Sequence, residues 1–153
     1  MNRNKHLEIM KKIDDIGSFL GLYFIKQRDY NTGEKFTQTE VHILEMIVEH
    51  PNISSTEIAK KLYKTKSSIS QITKKLIEKG LLLKNKNAND LRSMDFLITE
   101  KGYFVHYSHK NYDNKMCEIL KSKTEHFSEE DIDKILDFLN IFSSYQIEFS
   151  PLD

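Results

Sequence analysis

The strongest constraint on the fold is the segment of residues 53–102, which predicts two short helices followed by a pair of strands. The first helix reads ISSTEIAKKLY, the second reads TKSSISQITKKLIEKG, and the strands lie within LLLKNKNANDLRSMDFLITEKG. Two helices joined this closely cross at a steep angle, so that the second one faces outward, as it does in proteins that enter a DNA major groove. The segment therefore predicts a helix-turn-helix motif followed by a small β-hairpin, or wing.

The same segment holds the positive charge of the chain. Residues 60–92 contain ten Lys or Arg and two acidic residues, a net charge of +8, although the whole chain of 153 residues has a formal net charge of zero. The flanking residues 1–59 and 93–153 are acidic, with net charges of −2 and −6. This asymmetry indicates a negatively charged partner. A lysine-rich face that is merely solvated is the alternative interpretation.

Length and composition favour a single helix-rich domain. The chain has the length of one ordinary domain, and its 30% charged and 39% hydrophobic residues suit a soluble protein. A single cysteine, Cys117, excludes an internal disulfide framework and suits a reducing compartment, so we expect a cytoplasmic location. The uncharged run of residues 16–25 is too short to span a bilayer, and we expect no membrane partner.

Three predicted helix starts share one capping pattern, in which a hydroxyl residue is followed three positions later by an acidic residue. The pairs are Thr37 with Glu40, Ser54 with Glu57, and Ser128 with Asp131. Together with apolar periodicity, they predict a mainly α fold with a small β-wing. Within a single domain of residues 1–153, we expect dimerisation helices in 1–35 and 122–153, a winged helix-turn-helix lobe in 37–102 and a long connecting helix in 100–121.

The second motif helix carries polar side chains suited to a DNA groove. Its apolar residues, such as Ile69 and Leu76, predict a buried face, whereas Gln71 on the opposite face can bond adenine through two hydrogen bonds. Ser and Thr form helices poorly, so a purely solvated face would more often use Glu, Lys and Ala. We expect DNA contacts from the motif helices, their connection and the wing: Ser54, Ser55, Thr56, Lys64, Thr65, Lys66, Ser67, Ser68, Ser70, Gln71, Lys74, Lys75, Lys86, Asn89, Asp90 and Arg92.

The tip of the predicted hairpin gives the sharper signal. Arg92 lies there, after Lys84 and Lys86, in a segment that can bury little surface. An arginine at such a tip can enter a minor groove, whose negative potential attracts it. Asp90 can orient the guanidinium through a charge-assisted pair. An ordinary exposed ion pair at a turn is the alternative interpretation.

Four features combine into a family resemblance: the capped ISSTEIAKKL, the helix TKSSISQITKKLIEKGLL, the Asp90-x-Arg92 pair, and Ile98-Thr99-x-x-Gly102. In this order they resemble the MarR family of bacterial transcription regulators, over nearly the whole chain. The resemblance implies a homodimer whose first and last helices interlock, with the second motif helix in the major groove and Arg92 in the minor groove. The chain departs from the family at Tyr63-Lys64, where a small or glycine residue and an apolar residue are usual.

The expected function is therefore that of a sequence-specific, double-stranded-DNA-binding transcriptional regulator controlled by a small effector. Repression is the commoner outcome in the family. Apolar stripes on the first and last helices would leave large exposed surfaces on a monomer, so a twofold dimer on a pseudo-palindromic site is expected on physical grounds as well. A winged-helix module that binds protein or RNA is the alternative. No phosphate loop, nucleophile elbow or catalytic triad spacing is visible, so we do not expect an enzyme.

Histidines mark the candidate regulatory residues. His42 lies on the predicted second helix, and His106, His109 and Asp113 share a face of the long helix. The resemblance extends to zinc-responsive members, which carry similar histidines, as do members that regulate fatty-acid synthesis. His42, His109 and Asp113 are therefore candidate ligands for a regulatory zinc ion, and no other cofactor is expected. A pH-sensitive hydrogen-bond cluster explains the same residues equally well. Cys117, with apolar neighbours, resembles a packing residue more than a redox switch.

Overall fold

The computed structural model describes residues 3–86 and 94–148, which form six helices and four short strands. The chain divides into two compact units, Met1–His109 and Lys110–Asp153. The elements in chain order are α1 (Arg3–Ile25), β1 (Arg28–Asp29), β2 (Lys35–Phe36), α2 (Gln38–Glu49), α3 (Ser55–Lys61), α4 (Lys66–Glu78), β3 (Leu82–Lys86), β4 (Met94–Ile98), α5 (Glu100–Lys123) and α6 (Glu129–Glu148). The mainly α fold with a small β-wing is thus confirmed.

The core of the first unit forms around α2, which packs against α4 and β4 and shares one cluster of buried apolar residues with α3 and β3. Because α2 is only 12 residues long, it depends on this packing more than on its own propensity. Fully buried apolar side chains come from every element of the helix-turn-helix and from its flanks: Phe36, Val41, Ile43, Leu44, Ile58, Ile69, Leu76, Leu81, Leu82 and Val105.

All three predicted caps are present. In the first, the Thr37 backbone N–H donates to Glu40 Oε2 at 2.7 Å, and the Glu40 N–H donates to Thr37 Oγ1 at 3.3 Å. The same reciprocal pair joins Ser54 to Glu57 and Ser128 to Asp131. Each pair satisfies two backbone groups that the first turn of a helix otherwise leaves without partners. The hydroxyl–acid spacing therefore predicts these helix starts correctly.

The wing strands pair antiparallel, with Leu82 opposite Ile98 and Lys86 opposite Met94. Leu82 and Phe96 are buried in the core, whereas Leu83 and Leu97 are exposed, as the alternation of a half-buried hairpin requires. The small β1–β2 pair is not predictable from the sequence, because two-residue strands are too short to show any alternation. It pairs Arg28 with Phe36 and Asp29 with Lys35, on either side of a turn in which Asn31 and Gly33 have positive φ.

The C-terminus of α4 is closed by a glycine. Gly80 has φ +72°, its N–H donates to the Ile77 carbonyl, and the next N–H, of Leu81, donates to the Leu76 carbonyl, both at 2.9 Å. These two bonds form a Schellman motif, which satisfies carbonyls at the end of the helix. The left-handed backbone at Gly80 redirects the chain from α4 into the first wing strand.

We expect Gly80→Ala to lower the free energy of unfolding by about 1 kcal/mol, because a Cβ is unfavourable in the left-handed region. Gly80→Asn should lower it less, since Asn tolerates that region. Urea unfolding followed by circular dichroism measures both variants. Equal stability of the alanine and wild-type chains would contradict the assignment of Gly80 as the conformational requirement at this turn.

Candidate functional site

Helix α4 presents a polar face outward. Its N-cap, Thr65, accepts a hydrogen bond from the Ser68 N–H at 3.2 Å, and its buried residues are Ile69, Thr73 and Leu76. The sequence does not mark Thr73 as an inward residue; its hydroxyl donates to the Ile69 carbonyl at 2.9 Å, so its burial leaves no hydroxyl without a partner. The exposed positions of α4 include those predicted to contact DNA: Lys66, Ser67, Ser70, Gln71, Lys74 and Lys75, with Ser68 half-buried.

The first motif helix and the connection offer fewer accessible groups. Ser54 and Ser55 are half-buried, whereas Thr56 and Lys64 are exposed. The Ser54 hydroxyl donates to Glu57 Oε2 at 2.6 Å and accepts from the Glu57 N–H, so the cap already uses its hydrogen-bonding capacity. Thr56 and Lys64 are therefore the more accessible of the predicted contacts in this part of the motif.

The predicted wing contacts are only partly described. Lys86 is the last residue of β3. Asn89, Asp90 and Arg92 lie outside the described residues.

A buried carboxylate fixes the orientation of α4. Glu40 is 2% exposed, and its Oε1 lies 2.9 Å from Lys75 Nζ and 3.6 Å from Lys79 Nζ, while its Oε2 accepts the capping bond from Thr37. Burial alone raises the pKa of this carboxyl, but the bond from the Thr37 backbone, the bond from Lys75 and the charges of Lys79 and Lys75 together lower it below its usual value. The first turn of α2 is thus joined to the C-terminal half of α4 through an ionised group.

Lys79 adds two contacts at the same end of α4. Its ammonium donates to the Lys35 carbonyl at 3.1 Å and lies 4.3 Å from the centre of the Phe36 ring. Lys75 is half-exposed, so the same side chain holds α4 to Glu40 and adds positive charge beside the polar face. The sequence predicts Lys75 as a DNA contact but gives no sign of its partner.

A second cluster surrounds His42 and His109. The amide of Gln38 lies between the two rings: its Nε2 is 3.0 Å from His42 Nε2 and 3.4 Å from His109 Nε2. Arg28 donates to Gln38 Oε1 at 3.0 Å, which orients the amide so that its N–H groups point to the histidines. In this arrangement both Nε2 atoms accept a hydrogen bond, the form in which an imidazole also binds a metal.

Glu45 completes a set of donors that includes the two histidines. One ligand atom each from His42, Glu45 and His109 lie within 4.8 Å of one another. Glu45 is missed from the sequence, although its spacing of three residues from His42 on α2 places both on one helix face. Asp113, the predicted third ligand, lies one turn beyond His109 on α5, in the second compact unit. Two histidines and one carboxylate suit zinc, with a position left for water or another ligand.

Two other residues singled out in the sequence lie on α5. His106 is buried, and its Nδ1 has no hydrogen-bond partner among the described residues. Cys117 is exposed. Within the single chain it is therefore not a core residue.

Comparison with known proteins identifies the family. Residues 36–94 match the MarR family profile. The chain is 30% identical over 110 residues to the uncharacterized HTH-type transcriptional regulator YhjH of Bacillus subtilis, in an alignment that covers 71% of this chain and 63% of that relative. It is 22% identical over 138 residues to the transcriptional regulator AdcR of Streptococcus pyogenes, covering 87% and 93% of the two chains.

The fold also resembles those of solved structures. The structure of Lactococcus lactis ZitR in complex with DNA superposes with a TM-score of 0.69 at 24% identity, covering 98% of this chain and 99% of the other. Another structure describes ZitR as a zinc-responsive MarR family member. At this identity the superposition establishes the winged-helix fold alone. Proteins of this family are transcription regulators and not enzymes, as expected from the sequence.

The Glu40 ion pair is open to a direct test. We expect Glu40→Gln to lower the free energy of unfolding by about 2 kcal/mol at neutral pH, because it removes the negative charge that faces Lys75 and Lys79 and that accepts the Thr37 capping bond. Glu78→Gln is the matched control: Glu78 also faces an α4 lysine, Lys74, at 3.9 Å, but both side chains are largely exposed. The Lys74–Glu78 pair should contribute almost nothing to the free energy of unfolding. Equal losses in urea unfolding would contradict a special role for Glu40.

The lowered pKa of Glu40 also sets a pH dependence. Its folded-state pKa lies below the usual 4.5, so folding favours the ionised form. The resulting stabilisation is complete above about 4.5 and is lost as the pH falls through the folded-state pKa. Urea unfolding between pH 7 and pH 3 should show a steeper acid loss for the wild type than for Glu40→Gln. If the two proteins lose stability in parallel as the pH falls, a group other than Glu40 causes the acid loss.

Proposed function

The chain belongs to the MarR family, and we propose that it is a transcriptional repressor that binds pseudo-palindromic double-stranded DNA as a homodimer. The observation that supports this most directly is the outward polar face of α4, held in place from behind by Glu40. Serine, glutamine and lysine on an exposed helix are the side chains that bond base edges and phosphates in a major groove.

The charge distribution supports DNA as the partner. The motif and wing concentrate a net charge of +8 in residues 60–92 of a neutral chain. Contacts from these residues to about six to ten phosphates per dimer would release counterions and make the affinity fall steeply with salt. A protein or RNA partner has no need of two outward helices spaced for one duplex.

The exposed apolar helices support a homodimer. None of the residues of α1, all of which the structure describes, is buried, and its large side chains include Leu22 at 69% exposure. In the second unit, α6 likewise exposes Leu136, Leu139 and Ile141. Large exposed apolar surfaces of this kind usually form a protein–protein interface. A twofold dimer that covers them can place two α4 helices roughly 34 Å apart, one turn of the duplex.

DNA recognition can be tested with duplex DNA from upstream of the chain's own gene. Gln71→Ala should change the preference among base pairs at one position of each half-site, because it removes a contact to a base edge. Lys74→Ala should weaken binding to all DNA sequences to a similar degree, because it removes a positive charge near a phosphate. It should also reduce the salt dependence of the DNA affinity. Fluorescence anisotropy at several salt concentrations measures both effects.

Lys110→Ala is the control for these variants, because it removes an exposed lysine of α5 outside the motif. It should leave affinity and salt dependence unchanged. Equal losses of DNA affinity in Lys110→Ala and Lys74→Ala would indicate that the DNA does not bind at the motif. Flat affinity of the wild type across the salt series would contradict duplex binding through residues 60–92.

Dimerisation makes a separate prediction. Sedimentation at micromolar concentration should give a dimer, and Leu22→Glu should shift it toward monomer because a charge would enter the apolar seam. Glu8→Gln, a change on α1 at an exposed charged position, serves as the control and should leave the dimer intact. A monomeric wild type would contradict the proposed assembly.

For the control of DNA binding, we propose regulatory zinc held by His42, Glu45 and His109. The donor set and the acceptor state of both Nε2 atoms fit the ion. When bound, zinc would supply charge and fixed coordination in place of the Gln38 hydrogen bonds. Gln38 and Glu40 lie two residues apart in the first turn of α2, so displacement of Gln38 acts close to the Glu40 contact with α4. A small organic effector or a pH-sensitive hydrogen-bond cluster is the alternative.

Titration of tag-free protein with Zn²⁺ tests this proposal. We expect calorimetric binding that His109→Ala abolishes and Glu45→Gln weakens at least about tenfold, because each removes one ligand. Asp113→Asn is the discriminating variant: unchanged affinity favours Glu45 as the third ligand, whereas loss restores the assignment made from the sequence. Absence of binding by the wild type would leave the cluster as a hydrogen-bond network without metal.

A further inference from the structure

The connection between the two motif helices contains an unusual backbone conformation. Helix α3 ends at Lys61, with Leu62 as its C-cap, and the next two N–H groups turn back: that of Tyr63 donates to the Lys60 carbonyl at 3.3 Å and that of Lys64 donates to the Ala59 carbonyl at 2.9 Å. This is the same Schellman arrangement that Gly80 forms after α4. Here, however, the left-handed residue is a tyrosine, with φ +50°.

Tyrosine is poorly suited to this conformation. A side chain with a Cβ is disfavoured in the left-handed region, and glycine is the residue that fits there. The other residues with positive φ in the described part of the chain are Asn31, Asn52, Gly33 and Gly80, all of types that tolerate it. The chain therefore keeps a large side chain at a position where glycine would be more stable.

Packing does not explain the choice of tyrosine. The Tyr63 side chain is 61% exposed, so little of its ring area is buried to offset the strain. Strain that is not offset by packing points to a role in binding. The neighbouring side chains are cationic and exposed: Lys60, Lys61 and Lys64 surround the turn, and Lys66 follows at the start of α4. An exposed phenol among lysines is placed to donate a hydrogen bond to an anion that the lysines attract.

We propose that Tyr63 is a DNA contact whose phenol donates a hydrogen bond to a backbone phosphate next to the half-site read by α4. The Tyr63 side chain is exposed, and so are those of Lys60, Lys61 and Lys64, its near neighbours in the chain. This inference rests on the proposed function, since the phosphate is that of the duplex bound by the motif. It adds a neutral donor to a surface otherwise defined by charge and so contributes affinity without counterion release.

Tyr63→Phe isolates the hydroxyl. Binding to the upstream duplex, measured by fluorescence anisotropy, should weaken about tenfold, the value of a hydrogen bond to a charged partner. The slope of log affinity against log salt should stay at the wild-type value, because a neutral donor displaces no cation. Lys64→Ala in the same assay should reduce that slope. The salt slope therefore distinguishes a neutral hydrogen bond from Tyr63 from a charged contact from Lys64.

Tyr63→Gly tests the strain. It should bind DNA at least as weakly as Tyr63→Phe, yet melt about 2–4 °C higher, because glycine relieves the left-handed penalty. Asn31→Gly is the matched control, since it makes the same type of change at φ +62° in a turn outside the motif. It should leave DNA affinity unchanged.

The outcomes distinguish this inference from the function on which it rests. If the wild type binds the duplex and Tyr63→Phe binds equally well, the phenol makes no contact and the inference fails alone. If Tyr63→Gly fails to raise the melting temperature, the strain argument fails. If the wild type binds no duplex at any salt concentration, the proposed function fails together with the inference.

Discussion

The buried carboxylate of Glu40 is the contact on which the presentation of α4 depends. This helix buries Ile69, Thr73 and Leu76 and packs the partly buried Ile72 and Ile77 against the same core. Two lysines one turn apart, Lys75 and Lys79, reach the same oxygen of Glu40, and the other oxygen closes the cap of α2. One side chain therefore joins the start of α2 to the C-terminal half of α4, and loss of its charge would leave both lysines without their anionic partner.

Local chemistry makes much of the fold predictable from the sequence. The Thr37, Ser54 and Ser128 caps, the glycine after α4 and the alternation in the wing each act over three or four residues, so their signals are complete within a short window. The polar face of α4 is equally visible, because residues three and four apart share a helix side. The family resemblance rests on the same kind of signal, since each of its motifs lies within a short stretch of chain.

Contacts between distant segments are not predictable in the same way. Glu40 is identified as a cap, but its partners lie 35 and 39 residues later, and nothing in their spacing reveals the pair. The metal candidates show the same limit: His42 and Glu45 share a face of α2, but only the fold brings that face to His109 on α5. The conformation of Tyr63 is signalled only as a departure from the family, and its left-handed φ follows from how α3 ends.

The central claim is that two outward α4 helices, related by twofold symmetry, read one duplex. The most direct measurement is a selection of binding sites by the tag-free protein from a pool of random duplexes, followed by sequencing. The proposed function predicts enriched sites with two inverted half-sites whose centres lie about one helical turn, roughly 34 Å, apart. Enrichment of a single asymmetric half-site, or no enrichment at low salt, would contradict it.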